Sequence, residues 1–536
     1  MSAQTQQTRQ TFDDRRAQVG EWRVLPYDSQ IEAVHMALLH TGKVLYYSGF
    51  RVAEAVPTET RLWYPKTGEI KTVPTPGDLF CAGHSFLPDG RLLSTGGSLE
   101  YRNLPKFSPF LVRLTRPVQP FLVAIFEPIW PTKLAPTGPT FLYLFDPLTE
   151  QWSFAGDMPE GRWYPTNTSL PNGQILLLSG LNEGGGFGTG GQIKTNRRVE
   201  IFDAEHGVSQ VATIPEFGDE ESFPSDYPRM HVLPVPEEEK ELYPVGKAFC
   251  SGNGPDTKML NLQTWEWTDV GKLNWHVRED GCAVLLPLRP PDYRASVLVF
   301  GGSTEDGGTG EVTETAEIIE LSSKSPHWVW AASLRDKRVN ASSVLLPDGK
   351  LLALSGNSSH RFDRPVLNVQ LFDPDTGKWE MVAPMSVPRG YHSTALLLPD
   401  GRVLSSGTTP FGSWELRMEV YWPYYLFRGL RPEIEQVSKN ISYGQSFEVN
   451  YQCPEGEIRS VVLMRPGAMT HAFDMEQRHV ELVVQELGPR HLTAIAPRDE
   501  HVAPPGYYML FLLTDNGVPS EAEFVHLPIR GQAEGR

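Results

Sequence analysis

Short apolar runs, each broken by a turn of Pro, Asp and Gly and followed by a second apolar run ending in Gly, recur along most of the chain. The phrase reads SFLPDGRLLSTGG at 85–97, TSLPNGQILLLSG at 168–180, SSVLLPDGKLLALSG at 342–356 and STALLLPDGRVLSSG at 393–407. Looser copies are MALLHTGKVLYYSG at 36–49, HVLPVPEEEKELYPVG at 231–246 and AVLLPLRPPDYRASVLVFGG at 283–302, which makes seven. Each copy reads as two short strands joined by a tight hairpin, because Asp-Gly and Asn-Gly supply the positive φ that such turns demand. Between copies, LFDPLTEQW (144–152) and LFDPDTGKW (371–379) add an outer strand pair with its own turn. A repeat of roughly 50 to 60 residues is the period of a kelch-type propeller blade. The pattern therefore predicts an all-β, seven-bladed β-propeller over 21–430, preceded by a loose polar tail over 1–20.

After Arg431 the rhythm changes to longer strands, SFEVNYQC, RSVVLMRP, HVELVVQE, LTAIAP and GYYMLFLLTDNG. These predict a β-sandwich of immunoglobulin-like type over 431–530. One spacing in the propeller is stretched by a Pro-rich insert, 101–140, whose apolar core FLVAIFEPIW (121–130) is too short to span a bilayer. It reads as a flap packed on the propeller, or as a lid or membrane-touching patch.

Composition narrows the function classes. A net charge of −17 argues against nucleic acid, whose phosphates need clustered Lys and Arg. No apolar run is long enough to be a transmembrane segment, and residues 1–19 show no apolar signal core. By sequence the chain reads as cytoplasmic, and location is left open. The four cysteines, Cys81, Cys250, Cys282 and Cys453, form no CxxC pair, which weakens zinc and disulfide-scaffold readings. The glycine-rich EGGGFGTGG (183–191) lacks the Lys-Ser/Thr of a phosphate loop and reads as a surface connection.

The candidate chemistry lies on the propeller axis. The first strand of each blade lines the central channel, so equivalent positions form a ring. Nine residues before the turn glycines Gly90, Gly173, Gly349 and Gly401 stand Cys81, Tyr164, Asn340 and His392, with Tyr391 beside the last. Inner strands ordinarily carry Val, Ala or Ser there. Imidazole with phenolate suits tetragonal copper(II) better than zinc. A second imidazole has to come from outside the repeats.

Four separated motifs carry a resemblance. FCAGHSFLPDG (80–90), RWYPTNTSLPNG (162–173), RGYHSTALLLPDG (389–401) and LMRPGAMTHAFDMEQR (463–478) resemble, in order, those of the galactose oxidase and glyoxal oxidase family of radical copper oxidases. The ending APPGYYMLFLLTDNGVPS (503–520) is also similar. The resemblance implies that Tyr164 is a copper ligand joined by a thioether to Cys81, that Tyr391 is the axial tyrosine, and that His392 and His471 are the imidazole ligands. It implies a copper ion, a Cys81–Tyr164 radical cofactor, O2 as acceptor, peroxide as product and Tyr391 as base. Adjacent strand residues point to opposite faces, so Tyr391 and His392 can meet one metal only if the strand begins with a bend.

Trp163 has two readings, shield of the radical or simple packing, and RWYP is closer to the glyoxal oxidase branch. Asn357 stands where the galactose branch has glutamine, and Arg278 is a candidate substrate-binding arginine. The expected substrate is a small-molecule alcohol, aldehyde or glycan end, and the expected state is a monomer. The alternative is a copper-free kelch-type propeller that binds glycans or proteins, which has no need of the whole set Cys81, Tyr164, Tyr391, His392 and His471.

Overall fold

In the computed structural model the described residues are 15–48, 58–98, 138–183, 194–215, 226–304, 310–359, 363–407 and 415–531. Most of the 101–140 insert and of the 183–191 loop lies outside them.

Seven antiparallel blades follow one another in chain order, the first strand of each repeat at the channel. Blade two runs from Gly83–Phe86 through Leu92–Thr95 and Phe141–Asp146 to Gln151–Asp157. Its inner strands are buried throughout, while the outermost alternates exposed and half-buried positions. Inner strands are sandwiched between neighbouring blades and need apolar residues on both faces; the outer strand needs them on one. That is why the PDG hairpins are the most regular part of the repeat.

Blade seven closes the ring. Its strands Ser393–Leu397, Val403–Gly407 and Arg417–Trp422 are completed by Glu21–Asp28 from the start of the chain, in register Glu21↔Trp422. The expectation of a loose tail over 1–20 fails at its end: Arg16–Val19 is a helical turn, and the Val19 carbonyl accepts from Tyr421 Oη (2.8 Å) and the Ala383 amide (2.9 Å).

The remaining residues form two four-stranded sheets facing each other, a sandwich. It covers the channel end where the PDG turns lie. A side-chain carbon at Gly90 would sit 3.0 Å from Tyr507, and one at Gly173 2.7 Å from Ile529. His526 donates to the Pro88 carbonyl (2.9 Å), and one apolar core runs from blades four and five into the sandwich. From this cap a hairpin, Ala468–Thr470 and Phe473–Asp474, enters the channel and adds to the inner edge of blade one, with Met36↔Met469 and Ala37↔Ala468 paired. No helix of the described residues is long and apolar enough to cross a membrane.

Candidate active site

The channel end opposite the sandwich is shaped by one backbone device. The residue leading into the inner strand is left-handed in blades two to seven: Cys81, Tyr164, Tyr227, Asp280, Asn340 and His392, with φ from +42° to +65°. Left-handed backbone is unfavourable for residues with a Cβ, and its recurrence here accompanies the meeting of the Cys81, Tyr164, Tyr227 and His392 side chains around His471. It supplies the bend that Tyr391 and His392 require; their rings lie 3.9 Å apart. Inter-blade hydrogen bonds fix the ring: the Tyr164 amide donates to the Cys81 carbonyl, and the Asn340 amide to the Asp280 carbonyl, both at 3.0 Å.

The threaded hairpin delivers His471 to the same place. Its bend is also left-handed, at His471 (φ +44°) and Ala472 (φ +62°). The hairpin is held by Arg229, buried, whose guanidinium donates to the His471 carbonyl (3.1 Å), the Gly281 carbonyl (3.2 Å) and the Tyr227 carbonyl (3.2 Å). Lower in the channel the buried pair Arg465–Glu476 anchors its base, with Glu476 accepting from Ser169 Oγ (2.7 Å) and the Phe86 amide (3.0 Å).

Five expected residues come together. The ligand atoms of Cys81, His392 and His471 all lie within 4.8 Å of one another. Cys81 Sγ is 3.6 Å from His471 Nε2, and the Tyr164 and Tyr391 hydroxyls are 3.1 Å apart. The His471 ring lies 5.3 Å from Tyr164, 5.4 Å from Tyr391 and 4.8 Å from His392. Trp163 packs on Tyr164 at 4.4 Å and 33°, and is pinned by paired backbone bonds with Leu181. The thiol and both imidazoles are buried; the two tyrosines are half-exposed and form the accessible surface.

Electrostatics suit a cation. Burial pushes His392 down to about 3 and His471 well below the ordinary imidazole range, the latter helped by His392 and His35. Both rings are therefore neutral at pH 7, the state in which imidazole binds metals. Burial raises both phenols, each further raised by Cys81, so ionising them needs positive charge at the cluster. Thr470 Oγ1 lies 2.6 Å from His471 Nδ1 and fixes the ring with Nε2 toward Cys81, the outer-shell contact a metal-binding histidine ordinarily has. Glu32 lies 3.9 Å from His392 Nδ1. Two imidazoles and two phenols converging in this way fit the copper ion that the resemblance implies.

Two expected residues lie elsewhere. Arg278 is 2 % exposed, and its guanidinium is committed to Glu317 (2.7 Å), the Gly301 carbonyl (2.9 Å) and Thr315 Oγ1 (3.0 Å). It precedes Asp280 by two positions as Arg162 precedes Tyr164, and Arg162 likewise pairs with Glu200 inside its blade. The candidate substrate arginine is an internal brace of blade five. Asn357 is buried against Gly390, the residue before Tyr391, and makes none of the ring contacts of the cluster.

Sequence reasoning missed Tyr227 and His35. Tyr227 lies 4.9 Å from the His471 ring at 31° and 5.3 Å, edge-on, from Tyr164, with its hydroxyl donating to the Ala82 carbonyl (3.1 Å). His35 Nε2 accepts from the Cys81 amide (3.0 Å). Neither stands nine residues before a turn glycine, so the alignment that found the others passes over them.

Two family descriptions match: residues 271–425 match Glyoxal oxidase N-terminus, and 431–527 match Galactose oxidase-like, Early set domain. Aldehyde oxidase GLOX of Vitis pseudoreticulata is 27% identical, over 95% of this chain and 97% of its own length. Galactose oxidase of Gibberella zeae is 26% identical, over 91% of this chain and 67% of its own. Among solved structures, a fungal alcohol oxidase determined in complex with copper superposes with a TM-score of 0.76 at 23% identity, over 95% of this chain and all of that one, a likeness of fold.

Proposed function

As the chain belongs to the galactose oxidase and glyoxal oxidase family, we propose that it is a copper-dependent oxidase, glyoxal-oxidase-like, that converts a primary alcohol or aldehyde to a carbonyl or acid product with O2 as acceptor and hydrogen peroxide as by-product. The observation that carries this reading is the 3.1 Å approach of the Tyr164 and Tyr391 hydroxyls within a cluster that also holds Cys81, His392 and His471. Tyr164, Tyr391, His392 and His471 would hold the ion. Bound there, copper(II) supplies one electron acceptor and a seat for the substrate oxygen.

The protein's own groups do the rest. Taking hydrogen from a C–H bond needs a second one-electron acceptor, and a thioether between Cys81 Sγ and the Tyr164 ring makes that phenol easier to oxidise. Tyr391 Oη, on the open face, takes the hydroxyl proton of the substrate as general base. Tyr164 Oη, beside it, takes the hydrogen atom from carbon. Trp163 over the Tyr164 ring, with Tyr227 at its edge, limits water at the oxidised phenol. His471, fixed through Thr470 and Arg229, holds the far side of the cluster rigid.

Peptide mass analysis of copper-loaded, air-exposed protein tests the reading. A Cys81–Tyr164 cross-linked peptide lighter than the sum by two hydrogens is expected, together with peroxide release from alcohols or aldehydes. Absence of both after copper loading would point to the copper-free binding propeller.

A further inference from the structure

Two members of the left-handed ring take no part in the cluster described above. Asp280 of blade five (φ +51°) and Asn340 of blade six (φ +57°) occupy the positions that Tyr164 and Cys81 occupy in blades three and two. The same amide-to-carbonyl bond joins each pair. Equivalent backbone geometry gives them equivalent places around the axis. Asn340 is only 4 % exposed, yet among the described residues neither its Oδ1 nor its Nδ2 has a partner. A buried amide left unsatisfied on both atoms is costly and rare in folded proteins, and at this position in the ring both atoms remain open to a ligand group. Asp280 beside it is half-buried, and its charge reaches the reacting oxygen, since Asp280 together with Asp226 holds the Tyr391 phenol up after burial and Cys81 have done so.

We propose that Asp280 and Asn340 are the specificity wall of this site, selecting substrates that carry a second hydroxyl beyond the reacting carbon and rejecting those that carry a carboxylate there. The inference rests on the oxidase reading and names its substrate class. The Asp280 carboxylate accepts the one proton of the remote hydroxyl, while Asn340 Nδ2 donates to its oxygen. A carboxylate in the same place meets like charge across a partly desolvated gap, a repulsive element of the kind that gives specificity.

The test uses three primary alcohols of one chain length, 1-propanol, 1,3-propanediol and 3-hydroxypropionate, on the copper-loaded, full-length protein. Wild type is expected to favour the diol over the hydroxy acid by about tenfold or more in kcat/KM. Asp280→Asn narrows that ratio by raising hydroxy acid turnover, and Asn340→Leu lowers the ratio of diol to propanol. A second readout is independent of turnover: azide titration of the cupric absorption band, in which Asp280→Asn binds azide about tenfold more tightly. Unchanged ratios and unchanged azide affinity in a copper-loaded, active enzyme overturn the wall and leave the oxidase reading standing. Failure of wild type to take up copper overturns both.

Discussion

A left-handed residue with a Cβ costs on the order of 1–3 kcal/mol where the surroundings must enforce it, and this chain accepts that cost at Cys81, Tyr164 and His392. The chemistry of the site begins with that backbone choice, which turns a thiol, a phenol and an imidazole to one point. What keeps each donor there is a neighbour outside the donor set. Thr470→Val, which removes the hydroxyl beside His471 Nδ1, is expected to weaken copper affinity about 10- to 100-fold with the fold intact, as read by chelator competition. Cys81→Ser is expected to keep copper while losing the cross-linked peptide and most turnover; full activity in that variant would remove the thioether from the mechanism. Cys81, Tyr164, Tyr391 and His392 were legible because they stand at a fixed distance from turn glycines or beside a residue that does. Tyr227 and His35 were not, since blades four and one have degenerate hairpins in which that count has no anchor, and a stacking contact leaves no mark in linear spacing.

The blade is the unit at the next scale, and its regularity explains both what was read correctly and what was misread. Hairpin turns with Asp-Gly repeat because the local geometry demands them, so the inner strands could be placed from sequence. Arg162 and Arg278 repeat for another reason, as internal braces whose carboxylate partners Glu200 and Glu317 come from the third strand of the same blade. Sequence shows the cation at a suggestive position and hides the partner some forty residues on. Breaking such a buried pair leaves an uncompensated charge, which typically costs about 3–5 kcal/mol. Glu317→Ala is therefore expected to destabilise the protein by about that amount in urea unfolding while KM of the copper-loaded enzyme stays the same. A large change in KM with unchanged stability would return Arg278 to the substrate pocket. The hairpin 468–474 is the element least legible beforehand. Its motif pointed to His471, but only the pairing of Met469 with Met36 shows that it joins blade one as an extra strand.

At the scale of the whole molecule, sandwich and propeller share one core, and buried imidazoles lie in their contacts. His479 donates to the Pro347 carbonyl at the cap, and His231 lies edge-on to Phe473 of the hairpin. Burial pushes His479 down to about 4 and His231 to about 3, against 6.5 when free. Between pH 6.5 and about 4 the unfolded chain therefore binds protons that the folded one does not. Stability falls as pH drops through that window, by at most about 1.4 kcal/mol per pH unit for each ring. Thermal melting across this range is expected to show the decline, and His231→Gln with His479→Gln to make it shallower, the imidazoles of the cluster keeping their share. The threading of the channel has a consequence in time as well. A ribosome releases the seven blades before it has made residue 471, so the nascent propeller holds a thiol, two phenols and one imidazole but no second imidazole. Domains fold in order of synthesis, and the donor set is finished only when the last fifth of the chain has folded and pushed its hairpin home. The proposed oxidising centre, assembled in that order, would stay inert until the protein around it is complete.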